Sequence, residues 1–254
     1  MISVILATKN GSKYIDRAIE SVLKQKDADF ELIIISDGST DSTVEKATQW
    51  SRKDSRIKLI VLEKNIGPGL ARDKAIHESR GEYIAIIDDD DFWISDNKLS
   101  IQKTFLDNHT KTVLIGGAKT RIVDEQEKLL KYYTNPVSDK NIRRSILIKN
   151  NFMNCTVMFR KEAYIRAGGF KALYLAEDYD LWLRMGQFGQ FSNIEGFEVA
   201  YTERTGGASK QRKLELYRTN IKLIISHKKE YPHAWLGVLK SSLRIALFRL
   251  QNIF

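Results

Sequence analysis

Four consecutive carboxylates follow an apolar segment in the first half of the chain. In GEYIAIIDDDDFW, residues 81–93, a run typical of a buried strand leads into Asp88, and an aromatic pair follows Asp91. Like charges this close together repel, so aspartates at the end of a buried strand indicate a bound cation. Carboxylate oxygens suit hard divalent ions such as Mg²⁺ and Mn²⁺, which also retain waters and substrate phosphates. A solvated acidic turn is the alternative, and the burial expected of the strand argues against it.

The segments around this cluster alternate between strand and helix patterns. Continuous apolar runs predict buried strands, and the segments between them have the spacing of helices. The predicted strands are 2–8, 31–36, 57–63 and 82–87, and the predicted helices are 12–25, 39–51, 70–79 and 97–108. This alternation predicts an α/β fold with a mostly parallel central sheet and helices on both faces.

Three polar loops follow predicted strands and should meet at one edge of the sheet. They are TKNGS at 8–12, SDGSTD at 36–41 and DDDD at 88–91. Ligands of open parallel sheets bind at the carboxyl ends of the strands. We therefore expect one site built from all three loops.

The second half of the chain is less regular. Its patterns predict strands at 112–118, 155–160 and 198–201 and helices at 176–189, 213–229 and 233–252. Residues 119–150 are polar, and no element is assigned to them.

Three other kinds of acidic or nucleotide-binding site do not fit these loops. A haloacid dehalogenase-type phosphatase needs its aspartates after the first strand, and this cluster follows the fourth. An EF-hand loop counted from Asp88 needs glycine where Trp93 stands. A dinucleotide site needs a glycine-rich turn after the first strand, which offers only Gly11.

The excess of basic residues belongs to the end of the chain. The net charge is +9, yet the first 208 residues hold 31 basic and 30 acidic residues, against ten and two from Ser209 onward. A nucleic-acid binder would carry a basic face on its main domain, so no nucleic-acid partner is expected. Cys155 is the only cysteine and no apolar stretch approaches 20 residues, which favours a cytoplasmic protein.

The last predicted helix is basic and amphipathic. Its apolar stripe consists of Leu236, Leu239, Leu243, Leu247 and Leu250, with Lys240 and Arg244 on another side. Such a helix can lie on an anionic membrane surface, here the inner face of the cell membrane. Packing of the stripe on its own domain, or on a second subunit in a homo-oligomer, remains an alternative.

Together the motifs resemble the family 2 glycosyltransferases, which are inverting nucleotide-sugar enzymes of the GT-A fold. The matching stretches occur in family order: VILATKNGSKYIDRAIESVLKQ, ELIIISDGSTDST, NIGPGLARDKAIHESRGEYIAIIDDDDFW, GGF at 168–170 and AEDYDLWLRMGQFG. The resemblance implies a catalytic domain over 1–208, with a nucleotide-binding half at 1–110 and an acceptor half at 111–208. Residues 209–254 form the basic helical tail.

The resemblance also implies roles for individual residues. Nucleotide-sugar binding falls to Ala7, Thr8, Asn10, Asp37, Arg72, Asp88 and Asp89. Asp90 would coordinate Mn²⁺ or Mg²⁺, and Glu177 and Trp182 would shape the acceptor side. Asp178 would be the catalytic base, and its place at a helix N-terminus favours the ionised form.

Two departures from the family pattern concern the metal and the nucleotide. Ser36 replaces the first aspartate of the usual doublet, and Thr202 and Thr205 stand near where relatives often carry a histidine. Ser209 or Lys210 would then complete the metal or diphosphate shell. The motif Gln-x-x-Arg-Trp does not follow Asp178, which argues against a processive synthase.

The resulting expectation is a metal-dependent, inverting transferase that adds single sugars. Its donor would be a nucleotide-diphosphate sugar, a UDP-sugar on family prevalence, and its acceptor a glycan or lipid-linked glycan. One alternative is a sugar nucleotidyltransferase, although TKNGS is not the glycine-rich basic loop of those enzymes. The other is a non-catalytic nucleotide-sugar or membrane-binding module, which would not need Asp178.

Overall fold

The structure is a computed structural model that describes residues 1–173, 175–204 and 212–251. Strands and helices alternate through the first half of the protein. The strands are β1 (Ile2–Thr8), β2 (Phe30–Asp37), β3 (Ile57–Leu62), β4 (Tyr83–Asp88), β5 (Phe92–Trp93), β6 (Thr112–Gly117), β7 (Lys119–Val123), β8 (Leu129–Thr134), β9 (Met158–Arg160), β10 (Gln190–Ile194) and β11 (Val199–Thr202). The helices are α1 (Ile15–Leu23), α2 (Thr43–Lys53), α3 (Pro68–His77), α4 (Lys98–Asn108), α5 (Asp139–Ser145), α6 (Lys161–Arg166), α7 (Glu177–Met185), α8 (Lys213–Ser226) and α9 (Ala234–Gln251).

The central sheet has the order β10-β6-β9-β4-β1-β2-β3. Its β1, β2, β3 and β4 are the four predicted strands, and they pair in parallel as expected. β9 lies antiparallel between β4 and β6, so the sheet is mixed at that side. Helices cover both faces, which is why β1, β2 and β4 are buried along almost their whole length.

Successive residues of the central strands pack into opposite halves of the core. Ile5 and Ile33 face a cluster that includes apolar residues of α3 and α7. Val4 and Leu32 face the cluster that includes α1, α2 and α4. This two-residue period fixes the direction of every side chain on the strands, including those at their carboxyl ends.

A second sheet, of order β5-β11-β7-β8, adjoins the aspartate run. β5 begins directly after Asp91 and pairs antiparallel with β11. The hairpin of β7 and β8 lies in the polar stretch 119–150 that the sequence left without elements. The predicted strand 155–160 is partly wrong: residues Asn154–Thr156 form a 3₁₀ turn, and β9 is shorter.

The two closing helices pack on the rest of the protein. Leu223 and Ile224 of α8 belong to the core cluster beneath α3 and α7, and the Tyr231 hydroxyl donates to the Leu183 carbonyl at 2.8 Å. A methyl group on Gly237 of α9 would lie 2.0 Å from the Leu147 carbonyl oxygen, so the helix backbone is in close contact with this segment.

The outer side of α9 nevertheless carries exposed apolar residues. They are Trp235, Leu239, Leu243, Leu247 and Leu250, each at least half exposed. The packing on the domain and the exposed stripe therefore involve different sides of one helix. Within the described ranges, none of the helices has the length and hydropathy needed to cross a bilayer.

Candidate active site

A cleft of about 830 Å³ opens at the carboxyl edge of the central sheet. Thr8 lies opposite Ser36, and Ala7 lies opposite Asp88, so the ends of β1, β2 and β4 are side by side. The three loops therefore meet at one edge, as the sequence predicted. The predicted site residues that line the cleft are Ala7, Thr8, Asp37, Arg72, Asp88, Asp89, Asp90, Glu177 and Asp178.

Arg72 joins the two acidic parts of the cleft. Its guanidinium donates from Nη2 to Asp88 at 2.6 Å and from Nη1 to Glu177 at 2.7 Å. Burial alone would lower the pKa of Arg72, but the two carboxylates outweigh it and raise that pKa. Both terminal nitrogens are thus committed to carboxylates, and Arg72 ties the end of β4 to the start of α7.

Asp88 has a second partner that no motif marks. Asn154, in the 3₁₀ turn before β9, donates from Nδ2 to both Asp88 oxygens, at 2.9 and 3.0 Å. The contact joins residues 66 positions apart, so only the folded chain reveals it.

Asp89 is fixed by the loop after β1. The Thr8 hydroxyl donates to Asp89 at 2.5 Å, and a methyl group on Gly11 would lie 2.1 Å from the same carboxylate oxygen. Glycine is therefore required at position 11 for this approach. Burial raises the pKa of Asp89.

Asp90 is the carboxylate whose surroundings best fit a cation. Arg204 Nε lies 2.6 Å from Asp90 Oδ2, an ion pair without hydrogen-bond alignment. Burial and the charge of Asp89 nevertheless raise the pKa of Asp90 to about 7, so one guanidinium does not neutralise the cluster. Oxygen ligands of this kind fit Mn²⁺ or Mg²⁺.

The protein would supply only part of such an ion's shell. In the part of the chain that the structure describes, no three His, Cys, Asp or Glu side chains converge as a complete metal site. Thr202 donates its hydroxyl to the Asp90 carbonyl at 2.5 Å, which supports the loop. Thr205, Ser209 and Lys210 lie outside the described residues.

Asp91 turns away from the cleft. It is fully buried, accepts a hydrogen bond from the Thr202 amide at 2.8 Å, and has its pKa raised by burial. It anchors the loop to β11, so the four aspartates are not equivalent.

Asp178 lies in the first turn of α7, as predicted. Its carboxylate accepts from the Tyr179 amide at 2.7 Å and from Asn150 Nδ2 at 3.5 Å. The expectation that the helix N-terminus would favour its ionised form is wrong in direction. Burial and the charge of Glu177 raise the pKa of Asp178 to about 7, because both outweigh the amide bond and Arg72.

The backbone before Asp178 is strained. Ala176 precedes α7 with φ at 61°, in the left-handed region that few non-glycine residues adopt. Such a conformation costs about 1–3 kcal/mol and persists where surrounding contacts enforce it. It directs the chain so that Glu177 reaches Arg72 and Asp178 enters the cleft.

Two residues predicted to bind the nucleotide, Asp37 and Asn10, differ in their position relative to the cleft. Both oxygens of Asp37 accept backbone amides, from Ile66 at 2.7 Å and Gly67 at 2.9 Å, so Asp37 holds the turn that leads to Arg72. Asn10 accepts from the Thr40 amide at 2.8 Å, outside the cleft.

Trp182 is fully buried beneath the cleft, with its ring 5.7 Å from that of Phe159. It does not reach the acceptor side, where sequence reasoning placed it. Trp182 lies one helical turn after Asp178, where α7 has already passed from the cleft into the core.

The sequence is similar to those of bacterial glycosyltransferases. It is 33% identical over 73% of its length to an O-antigen biosynthesis glycosyltransferase of Escherichia coli, covering 71% of that protein. It is 32% identical over 76% of its length to the UDP-Glc:alpha-D-GlcNAc-diphosphoundecaprenol beta-1,3-glucosyltransferase of Escherichia coli, covering 73% of it.

The fold is that of a mannosyltransferase from Pyrobaculum calidifontis, solved in complex with GDP-Man and Mn²⁺. The TM-score is 0.70 at 14% identity, over 96% of this chain and 69% of that one. Three other solved chains with this fold are also longer, and this chain spans 65–71% of them. The family match, to glycosyl transferase family 2, covers residues 3–168. The chain therefore belongs to glycosyl transferase family 2 and is a glycosyltransferase.

Proposed function

We propose that the enzyme moves a sugar from a UDP-sugar to a hydroxyl of a glycan or lipid-linked glycan, singly and with inversion. The observation that carries this proposal is that Asp178 shares one cleft with Asp88, Asp89 and Asp90. A donor held at the aspartates and an acceptor beside Asp178 would meet within that cleft.

Asp178 is the carboxylate best suited to act as the base. Arg72 already pairs with Glu177 and Asp88, whereas among the described residues Asp178 accepts hydrogen bonds from neutral donors only. A pKa of about 7 lets its carboxylate take a proton from the attacking hydroxyl at neutral pH. Direct displacement with one base inverts the anomeric centre.

Asp90 would hold a divalent cation, as the Mn²⁺ complex of the mannosyltransferase with the same fold supports. The ion would offset the negative charge of the leaving diphosphate. Asp88 and Asp89 lie beside Asp90 at the donor wall, where Thr8, Asn154 and Arg72 keep them in position.

A membrane-linked acceptor is the setting we favour. One relative is named for a diphosphoundecaprenol-linked acceptor, and the exposed stripe of α9 offers an apolar surface flanked by Lys240 and Arg244. The enzyme would then work at the cytoplasmic face of the membrane, held there peripherally by its last helices.

The test separates donor binding from transfer. Asp178→Asn should keep the thermal shift that UDP and Mn²⁺ give the wild type, while UDP release from UDP-sugars in the presence of a GlcNAc-diphosphate lipid falls at least ~100-fold. Asp96→Asn, in an exposed pair with Lys26, is the control. Full activity in Asp178→Asn would exclude it as the base, and pyrophosphate release would indicate a nucleotidyltransferase.

A further inference from the structure

A group of cations lines the same cleft, and the donor chemistry uses none of them. Lys149 follows α5, and Lys240 and Arg244 lie one helical turn apart on α9. These elements are distinct from those that carry the aspartates. The cleft is therefore acidic on one set of elements and basic on another.

The charges of Lys149 and Arg244 act on Lys240, and none of the three cations has an acidic partner within the described ranges. The pKa of Lys240 is lowered by burial and then by the charges of Arg244 and Lys149. Within those ranges no carboxylate forms an ion pair with any of the three. Crowding three positive charges costs free energy that a bound anion would return.

Neutral groups contact Lys149 and Arg244 and leave their charge available. Lys149 Nζ donates to the Thr134 carbonyl at 3.1 Å and lies 3.9 Å from the Tyr133 ring centroid. The Arg244 guanidinium lies 5.6 Å from the Tyr217 ring centroid. Carbonyl and ring contacts orient a cation without cancelling its charge toward a ligand.

The position of the group links it to the acceptor. Asn150, the residue after Lys149, donates to Asp178 at 3.5 Å, so Lys149 is next in the chain to a residue that contacts the proposed base. The contact of Gly237 with Leu147 brings α9 against this same segment. An anion held here would lie close to the hydroxyl that Asp178 activates.

An apolar surface begins directly beside the cations. Leu239 and Leu243 immediately precede Lys240 and Arg244 in α9, and both leucines are at least half exposed. A ligand with an anionic head and an apolar chain could occupy both surfaces at once.

We propose that Lys149, Lys240 and Arg244 form a subsite for a phosphate or diphosphate group of the acceptor, whose apolar chain lies along α9. The proposal rests on the proposed function only in naming this ligand the acceptor. Each guanidinium or ammonium donates charge-assisted hydrogen bonds to phosphate oxygens, which are stronger than bonds between neutral groups.

The test measures binding of geranyl diphosphate and inorganic pyrophosphate by titration calorimetry. UDP and Mn²⁺ are present at saturation, so that the donor site is filled. Lys240→Met with Arg244→Met should weaken geranyl diphosphate at least tenfold and leave UDP affinity unchanged. The matched control, Lys222→Met with Arg249→Met, removes two exposed cations of α8 and α9 and should bind as the wild type.

The outcomes assign the subsite and keep it separate from the donor site. Tighter binding of geranyl diphosphate than of pyrophosphate supports a lipid-linked phosphate, and equal binding supports the anion alone. If the wild type does not bind UDP, the proposed donor is wrong. Titration of geranyl diphosphate in EDTA then still measures binding at the subsite. Unchanged binding of geranyl diphosphate in the double variant, or equal weakening in the control, overturns the proposed phosphate subsite. Lys149→Gln repeats the test should the double variant not fold.

Discussion

Arg72 allows two carboxylates from distant parts of the chain to be buried together. Asp88 ends β4 and Glu177 begins α7, and a single guanidinium contacts both. Asp178 and Asp90 have surroundings of another kind, because burial and like charges raise the pKa of each to about 7. The site thus divides its carboxylates into two that pair with Arg72 and hold structure, and two with a raised pKa that are suited to a proton or a metal ion.

Arg72→Met should destabilise the protein by about 3–5 kcal/mol, because it leaves two carboxylates without their buried cation. Urea denaturation gives the free energy of unfolding. Arg166→Met is the control, since Arg166 and its partner Glu162 are mostly exposed and such pairs contribute under ~1 kcal/mol. Equal losses in the two variants would contradict the bridging role of Arg72.

Asp178→Asn should become more stable relative to wild type as pH rises. In the folded protein the pKa of Asp178 is about 7, above its ordinary value, so its contribution to stability is present at low pH and is lost as pH rises through 7. The variant avoids that loss, and its Tm advantage should grow between pH 5 and 7 and level off above pH 7.

Asp41→Asn provides the opposite case for this pH series. Burial opposes ionisation of Asp41, but hydrogen bonds from Thr43 and Ser12 lower its pKa to about 2. Its stabilisation is therefore complete above pH 4, and the variant should lose a constant amount from pH 5 to 8. A constant Tm difference for Asp178→Asn as well would show that its pKa is not raised.

At the scale of elements, burial decides what the sequence can predict. β1, β2 and β4 are predictable since both of their faces are covered and their residues are continuously apolar. β8 is not, because almost all of its residues are exposed and its pairing with β7 carries no apolar period.

The candidate site divides in the same way. Asp88, Asp89, Asp90 and Asp178 lie in motifs, so their grouping in one cleft could be predicted. Asn154 could not, because it reaches Asp88 only when β9 inserts between β4 and β6. The positions of Lys240 and Arg244 in the cleft depend on how α9 packs. The pattern of leucines in that helix did not predict its packing.

Gly237→Ala tests that packing of α9. Alanine favours a helix by about 1 kcal/mol over glycine, yet its methyl group would lie 2.0 Å from the Leu147 carbonyl oxygen. We expect a net loss of about 1–3 kcal/mol and faster proteolysis within α9, because the helix must shift. Ser242→Ala, at an exposed position of the same helix, should be neutral or slightly stabilising. A variant more stable than wild type would mean that α9 does not dock as described.

At the scale of the whole molecule, charge and apolar surface coincide at the end of the chain. The first 208 residues are nearly neutral, and the excess of basic residues lies from Ser209 onward. α9 adds Lys240 and Arg244 to the cleft on one side and presents leucines to solvent on the other. The same helix could therefore bring the cleft to a surface that displays anionic, lipid-linked acceptors.

Anionic vesicles should shift the tryptophan emission of the protein to shorter wavelength. Of the four tryptophans, Trp93 and Trp182 are buried, Trp50 is partly buried, and Trp235 is 66% exposed at the start of α9, so Trp235 would report insertion. Phosphatidylglycerol vesicles should give the shift, neutral phosphatidylcholine vesicles should not, and 0.3 M salt should weaken it, since screened cations lose their attraction to the surface. Trp235→Phe should remove the shift while vesicle co-sedimentation persists.

Leu243→Gln with Leu247→Gln should abolish co-sedimentation, whereas Val61→Gln with Ile165→Gln, at exposed apolar positions elsewhere, should not. Equal loss in both pairs would show that exposed apolar area in general, and not the stripe on α9, holds the protein to the membrane.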